Sequence, residues 1–307
     1  MSKNVPGIMR QKPITPWLYL VPSLIVMFTF IVYPGVNTFY LSLRNADNTA
    51  WASTACKAGE SCWGIFENYH YAITSEIMQT AFLNNIKWIL IMVTGTVALG
   101  LLIAVLADRV RYESVAKSLI FLPMAISFVG AGVIWKFMYN YESGTNQIGL
   151  LNAIITALGG QPVSWLTEPQ INTIALIVVG IWMWTGFCMT ILAAGLRGVP
   201  EEILEAARVD GANEWMVFWK IMIPQILPTI TVVITTMVIN VLKIFDIVYV
   251  MTGGNYGTEV IANRLYTEMY KSYQPGRASA IAVVLILVII PAMIMNIRRF
   301  NEQEATR

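Results

Sequence analysis

The chain has 307 residues, of which 56% are hydrophobic and only 12% are charged, and its formal net charge is +2. Because soluble domains carry about 25% charged residues, this composition excludes an ordinary soluble enzyme and a disordered protein. The net charge is too small to indicate nucleic acid as a partner. The apolar residues lie in blocks that are long enough to cross a lipid bilayer.

A helix needs about 20 predominantly apolar residues to cross the hydrocarbon core of a bilayer. Six stretches meet this requirement, so the sequence predicts an all-α membrane protein with six spans. The predicted spans are residues 17–40, 86–107, 118–138, 171–196, 229–250 and 278–297. The first apolar stretch is longer than the core of a signal peptide, and no small-residue cleavage site follows it, so we expect an uncleaved span.

The Lys and Arg residues outside the spans predict the orientation, because cytoplasmic loops carry an excess of them. One side of the membrane holds twelve: Lys3, Arg10, Lys12, Arg109, Arg111, Lys117, Arg197, Arg208, Lys220, Arg298, Arg299 and Arg307. The other side holds fewer, among them Arg44, Lys57, Arg264 and Lys271. We therefore expect an inner-membrane protein with both termini in the cytoplasm.

These spans and loops divide the chain into five parts. We expect a cytoplasmic N-terminal segment (1–16), a first transmembrane helix (17–43), an extracytoplasmic segment (44–84), a core (85–297) and a cytoplasmic tail (298–307). The extracytoplasmic segment holds Cys56 and Cys62, on the side where a disulfide persists. A small disulfide-closed loop, a reactive or metal-binding pair and two free thiols are all compatible with this spacing. No metal site is predicted elsewhere, and Cys188 within the fourth span is interpreted as an apolar packing residue.

The segment between the fourth and fifth spans, residues 198–228, contains the signals of two short helices. Pro200 suits a first helical position, and Glu201 follows in the first turn, where a carboxylate favours the helix dipole. Gly211 is placed to end the helix in a left-handed conformation, and Asn213 can cap a second helix that ends before Pro224. Such a pair is either a cytoplasmic docking element for a partner or a simple connector on the membrane surface.

The residues of this segment resemble the EAA motif of ABC-importer permeases. Glu205-Ala206-Ala207 is followed after three residues by Gly211, and after nine more by Ile221-Met222-Ile223-Pro224, with Ile223 in place of the usual Leu. The resemblance implies a type I importer permease fold and a coupling helix that docks on an ATP-binding subunit. The residues that it assigns to coupling are Glu201, Glu205, Ala206, Ala207, Asp210, Gly211 and Pro224.

The chain has no P-loop, because no glycine is followed by lysine anywhere in it. We therefore expect no catalytic residue and no cofactor in this chain, which would be a transport subunit rather than an enzyme. ATP and Mg²⁺ would bind to the partner ATP-binding subunits.

The end of the fifth span, FDIVYVMTGG at residues 245–254, resembles the corresponding segment of sugar-importer permeases, in particular the MalF-like member of the maltose-type pair. The motif departs from that pattern in two places: no residue separates Thr252 from Gly253-Gly254, and Asn255 stands where proline is common. The resemblance implies a di- or oligosaccharide such as an α-glucoside as substrate, moved by alternating access. It also implies three partners: a second permease subunit, a dimer of ATP-binding subunits and an extracytoplasmic sugar-binding protein.

Polar residues of the fifth span indicate a transport path. Asn240, Lys243 and Asp246 recur every three residues, and ionisable residues within spans usually face a cavity. Lys243 and Asp246 are one turn apart, so they are either path residues that bind sugar hydroxyls or a structural ion pair. Tyr249 of the same motif is included in the predicted path.

Trp182 and Trp184 of the fourth span are two further candidates. An indole ring can stack on a sugar ring, but tryptophan is also common at membrane interfaces. We expect at most one of the two to face the path, because they are two residues apart on a helix.

Three prolines are expected to interrupt helix hydrogen bonding within the bundle, because proline has no backbone N–H to donate. They are Pro123, Pro228 and Pro291.

The sequence is also compatible with two alternatives to a sugar permease. One is a permease of the same family for another solute, such as glycerol phosphate or a polyamine. The other is a self-contained secondary transporter or channel, which would show more ionisable residues within the spans or a repeated half with broken helices.

Overall fold

A computed structural model describes residues 15–44, 63–107, 111–143 and 148–305, and these residues contain helices and no strand. Cys56 and Cys62 lie outside the described residues. The helices are α1 (Thr15–Met27), α2 (Tyr33–Ser42), α3 (Ile65–Thr74), α4 (Glu76–Trp88), α5 (Thr94–Ala107), α6 (Glu113–Phe121), α7 (Phe128–Met138), α8 (Leu150–Ala157), α9 (Asn172–Arg197), α10 (Glu201–Val209), α11 (Glu214–Val217), α12 (Ile223–Leu242), α13 (Asp246–Met251), α14 (Ile261–Tyr266) and α15 (Pro275–Ala305).

Several of these helices join end to end into rods that are long and apolar enough to cross a membrane. Five such rods lie among the described residues: Trp17–Ser42, Glu76–Ala107, Asn172–Arg197, Glu214–Leu242 and Pro275–Arg298. A bent pair, Glu113–Ala125 and Phe128–Met138, makes a sixth if the pair is counted as one span. The predicted all-α membrane fold is therefore confirmed. The second rod begins ten residues before the predicted start at residue 86, within the segment expected to be extracytoplasmic.

The third predicted span is not a straight helix, because its two halves meet at an angle of 98°. Pro123 lies in a 3₁₀ turn at Leu122–Ala125, after which Ile126 and Ser127 adopt extended backbone conformations. The hydroxyl of Ser127 then accepts a hydrogen bond from the backbone N–H of Gly130 at 3.0 Å and starts α7. A helix break at Pro123 was predicted, and residues 118–138 cross the membrane as two pieces rather than as a straight helix if the bent pair is counted as one span.

The fifth predicted span, 229–250, is not one continuous helix, because it breaks in its C-terminal part. The helix ends at Leu242, and Lys243 and Ile244 close the last turn with i→i+3 hydrogen bonds of 3.2 and 3.0 Å to Asn240 and Val241. The chain turns at Phe245, and α13 starts at Asp246, whose carboxylate lies at the positive end of the new helix. Within the described residues no ion pair joins Lys243 to Asp246, so the structural ion pair is absent.

Two other proline predictions are corrected by the structure. Pro228 and Pro291 lie inside the continuous helices α12 and α15. Pro224 does not follow the end of a short helix, because α11 continues through a π-helical segment, Phe218–Met222, into α12.

The centre of the bundle is the contact between α5 and α9. Gly100 permits this contact, since a Cβ atom at this position would lie 2.8 Å from Cβ of Cys188 and 2.9 Å from the backbone nitrogen of Met189. Small residues let membrane helices approach closely, which replaces the hydrophobic driving force that is missing in lipid. Cys188 is fully buried in the apolar core, as a packing residue.

A buried polar network joins α3 to the segment before the last helix. The Tyr71 hydroxyl donates to Oε1 of Glu268 at 2.6 Å and accepts from Nε of Arg264 at 2.9 Å. Arg264 also forms an ion pair with Glu268, and the guanidinium of Arg277 lies 4.7 Å from the centre of the Tyr71 ring. Burial and the Glu268 carboxylate raise the pKa of Tyr71 above its ordinary value.

We predict that Glu268→Gln lowers the stability of the folded chain by about 3 kcal/mol, because it leaves the partly buried Arg264 charge without its carboxylate partner. The Glu268 side chain is only 2% exposed. The measurement is the thermal unfolding midpoint of the full chain in detergent. Glu67→Gln, on the exposed face of α3, is the matched control, and an equal effect of both substitutions would contradict the prediction.

Candidate functional site

The pair of short helices predicted from the sequence is present. Helix α10 has nine residues, and Gly211 behind it has a φ of +87°. The backbone N–H of Gly211 donates to the carbonyl of Arg208, and that of Ala212 donates to the carbonyl of Ala207, both at 3.0 Å. Pro200 is the N-cap of α10 rather than its first helical residue. The left-handed end of the helix at Gly211 is therefore confirmed.

The second helix of the pair is capped and tied to the first. The Asn213 side chain accepts a hydrogen bond from the backbone N–H of Met216 at 2.8 Å, as predicted. Arg208 of α10 forms an ion pair with Glu214 of α11, with an N–O distance of 2.9 Å. The two short helices thus form one compact unit at the start of the rod Glu214–Leu242.

The predicted coupling residues lie on the open face of this unit. Glu201, Glu205, Ala206, Asp210 and Gly211 are exposed. Ala207 is half-buried, and Pro224, which lies in α12, is exposed. The tip also carries two exposed apolar side chains, Val209 at 87% and Trp215 at 71%. An apolar tip with small alanines and a charged rim has the composition of a protein contact surface.

A second feature lies where the fifth membrane helix breaks. A cavity of about 120 Å³ is lined by Met92, Phe128, Trp184, Asn240, Val241, Lys243, Ile244, Phe245 and Asp246. Four of the six predicted path residues, Trp184, Asn240, Lys243 and Asp246, therefore lie at one cavity. The break of α12 brings them together, because Lys243 ends one helix and Asp246 begins the next.

The aromatic side of the cavity comes from two other helices. Trp184 of α9 stacks on Phe128 of α7, with ring centroids 6.0 Å apart, and meets Phe187 edge-on at 5.5 Å. Trp182 lies elsewhere and packs edge-on against Trp135 at 5.7 Å. Tyr249 is outside the cavity and stacks on Phe245 at 5.1 Å.

Sequence reasoning missed five lining residues: Met92, Phe128, Val241, Ile244 and Phe245. Met92 lies within an unbroken apolar run of the second span, so nothing in the sequence distinguishes it. Phe128 follows the break after Pro123, and Phe245 is the first residue of the FDIVYVMTGG motif. Phe128 carried a usable signal as an aromatic residue shortly after the break at Pro123, and Phe245 carried one as the first residue of the sugar-permease motif.

The Thr-Gly-Gly sequence at the end of α13 forms a tight loop. Gly253 and Gly254 have φ values of +67° and +84°, and a Cβ atom at Gly254 would lie 2.6 Å from Oε1 of Glu259. The hydroxyls of Thr252 and Thr258 are 2.7 Å apart and close the loop. Burial raises the pKa of the Glu259 carboxyl, which accepts a hydrogen bond from the backbone N–H of Val260.

Comparisons with known proteins agree with this architecture. A solved bacterial ABC transporter involved in the import of the acidic polysaccharide alginate has a chain that superposes with a TM-score of 0.75. The superposition covers 92% of this chain and 95% of that one at 22% sequence identity, so it shows a shared fold.

Two relatives are similar over almost the whole length. The osmoprotective compounds uptake permease protein GgtC of Synechocystis sp. is 53% identical, over 94% of this chain and 100% of that protein. The alpha-glucoside transport system permease protein AglF of Rhizobium meliloti is 47% identical, over 94% of this chain and 83% of that protein. The family model described as "binding-protein-dependent transport system inner membrane component" matches residues 96–299. Since this match covers more than half of the sequence, the chain belongs to the family of binding-protein-dependent inner membrane transport components.

Proposed function

We propose that this chain is the permease subunit of an ATP-driven sugar importer and that it lines the path of a di- or oligosaccharide such as an α-glucoside. The observation that carries the proposal is the cavity at the break between α12 and α13, which combines aromatic rings with an amide, an ammonium group and a carboxylate. Membership in the family and the α-glucoside named for a relative that is 47% identical support the choice of solute.

The chemistry of the cavity suits a sugar. Trp184 and Phe128 offer ring faces to the C–H face of a pyranose, while Asn240, Lys243 and Asp246 offer donors and acceptors to its hydroxyl groups. Lys243 is exposed, and Asn240 and Asp246 are half-buried. A mostly apolar site with a few convergent polar groups is typical of small-molecule binding.

The cavity is too small to hold such a sugar alone. Sites for drug-sized ligands enclose about 300–1,000 Å³, whereas this one has about 120 Å³. The chain therefore supplies one side of the path, and a second permease subunit supplies the other.

The first membrane rod gives a second reason for such a partner. Every residue from 17 to 36 is exposed, and only the outer end of the rod, at Leu41 and Ser42, is buried, where α2 packs against α15. The stretch from residue 17 to 36 is therefore left uncovered by the described part of the chain. The free stretch is placed to pack against the second permease.

We predict that a photo-crosslinking benzoylphenylalanine in place of Phe30 forms an adduct with the second permease in the assembled importer. Phe30 is 73% exposed on the first rod. The adduct is detected by mass spectrometry, and a sample that lacks the second permease is the control. Adducts with lipid alone, in an assembly that contains both permeases, would contradict this packing.

The exposed unit around α10 is proposed as the contact with the ATP-binding subunits. Closure of those subunits on ATP and Mg²⁺ moves the unit and opens the bundle toward the extracytoplasmic sugar-binding protein, and hydrolysis restores the inward-open state. Only a contact that differs between the two states can drive this exchange. The excess of Lys and Arg on the same side supports a cytoplasmic position for this unit and for both termini.

We predict that Glu205→Arg lowers ATP-driven uptake at least about tenfold and reduces co-purification of the ATP-binding subunits, because it reverses a charge at the centre of the contact. Glu202→Arg, an exposed residue of the same helix outside the assigned contact, is the matched control. Uptake and co-purification that stay at the wild-type level in Glu205→Arg would refute the coupling role.

The substrate is tested by reconstituting the chain with its partner subunits in liposomes and measuring uptake of maltose, trehalose and sucrose from a loaded binding protein. We predict ATP-dependent uptake of at least one of them, which Lys243→Ala lowers by roughly tenfold through the loss of a charged hydrogen-bond donor. The yield of folded protein should not change, since Lys243 is exposed.

Lys136→Ala, at another exposed lysine, should leave uptake unchanged. Uptake of glycerol phosphate or a polyamine in place of the sugars would reassign the solute within the family. Uptake without ATP would indicate a self-contained secondary transporter.

A further inference from the structure

Four aromatic side chains form a continuous row that begins at the cavity; we call Phe245, Tyr249, Tyr266 and Tyr270 the aromatic row. Phe245, which lines the cavity, lies 5.1 Å from Tyr249 and 5.2 Å from Tyr266 by ring centroids. Tyr249 and Tyr266 are 4.9 Å apart, and Tyr266 and Tyr270 are 5.0 Å apart. Each ring therefore touches the next, from the cavity wall to the outer surface.

Two short helical segments position the row. Phe245 and Tyr249 are four residues apart at the start of α13, and Tyr266 and Tyr270 are four residues apart at the end of α14 and in the π segment Thr267–Lys271. Residues at this spacing share one helix face. The two segments thus present matching pairs of rings toward each other.

The row is not part of the packing that holds the fold together. None of its four residues belongs to either apolar core of the described chain. Phe245, Tyr249 and Tyr266 are half-buried, and Tyr270 is 62% exposed. A set of rings in mutual contact that remains open on one side is available to a ligand.

Charged groups along the row indicate that its open side faces water rather than lipid. The Lys271 ammonium group lies 5.2 Å from the centre of the Tyr249 ring, and Lys271 is exposed. Asp246 adjoins the cavity end beside Phe245. Charged side chains at lipid-facing positions are costly and rare. Three phenolic hydroxyls add further polar edges to the row.

We propose that the aromatic row is a second carbohydrate-binding surface, on which a sugar ring stacks outside the cavity before it enters. The proposal rests on the sugar-importer function proposed above. Ring faces receive the C–H face of a sugar, and the phenolic hydroxyls and the Lys271 ammonium group bond its hydroxyl groups. The row continues into the cavity through Phe245, so a sugar passes from one aromatic contact to the next.

The test uses the complete importer in liposomes, with whichever of maltose, trehalose and sucrose the wild type takes up fastest. Tyr270→Ala and Tyr266→Leu remove rings from the row, whereas Tyr266→Phe keeps the ring. Tyr273→Ala removes a tyrosine that is 72% exposed and outside the row. The readouts are initial uptake rate, subunit composition of the purified importer and ATP hydrolysis in the absence of sugar.

We expect Tyr270→Ala and Tyr266→Leu to lower the initial uptake rate roughly threefold to tenfold, the range of a lost aromatic contact. Tyr266→Phe should retain most of the uptake, Tyr273→Ala should match the wild type, and subunit composition and sugar-independent ATP hydrolysis should not change. Wild-type uptake in both ring-removing variants would refute sugar binding by the aromatic row, while the proposed importer function would still stand.

Loss of the second permease from the purified Tyr270→Ala importer would also overturn the proposal, because the row would then be a subunit interface. If the wild-type importer takes up none of the three sugars, the proposed sugar-importer function is refuted, and so is sugar binding by the aromatic row. The uptake rate of the wild-type importer therefore tests the proposed function, and the rates of the variants test the aromatic row separately.

Discussion

The cost of placing unpaired backbone and charged groups in hydrocarbon governs this fold, because a bilayer core offers no hydrogen bonds in exchange for those made with water. Straight helices satisfy that condition along most of the chain. Where α12 ends at Leu242, the carbonyls of Asn240 and Val241 accept i→i+3 hydrogen bonds, and that of Leu242 accepts one from the Asn85 side chain at 3.5 Å. Lys243 and Asp246 form no ion pair with each other. Such a break is tolerable only beside a cavity or within protein, and a cavity lies there.

The same helix connects the two functional regions. From Glu214 to Leu242 it runs without interruption for 29 residues, or roughly 43 Å at 1.5 Å per residue. Its first turn is held to α10 by the Arg208–Glu214 ion pair, and its last turn carries Asn240 at the cavity. In the proposed cycle, this continuous rod would carry a displacement of the α10 unit to the cavity. The π segment Phe218–Met222 joins α11 to α12 within this rod, just before Pro224.

The features that were predictable from sequence are those set by local chemistry. Membrane-length apolar blocks locate the rods, and Gly211 and Asn213 determine the turn after α10 regardless of what packs around it. The breaks were harder to predict, since Pro123 interrupts its helix while Pro228 and Pro291 do not. The break at Phe245 has no proline at all. The choice of Trp184 over Trp182 at the cavity depends on the rotation of α9 about its axis, which its apolar sequence leaves undetermined.

The described surfaces share one property that bears on selectivity, namely that each is incomplete within a single chain. The cavity is smaller than a disaccharide requires, the first rod is uncovered from residue 17 to 36, and the aromatic row is open on one side. A path built from two unlike halves can pair the rings of one subunit with the polar groups of another. Discrimination between sugars then depends on the distance between the halves as well as on the residues of either. Because that distance changes as the transporter alternates, the same residues can hold a sugar in one state and release it in the other.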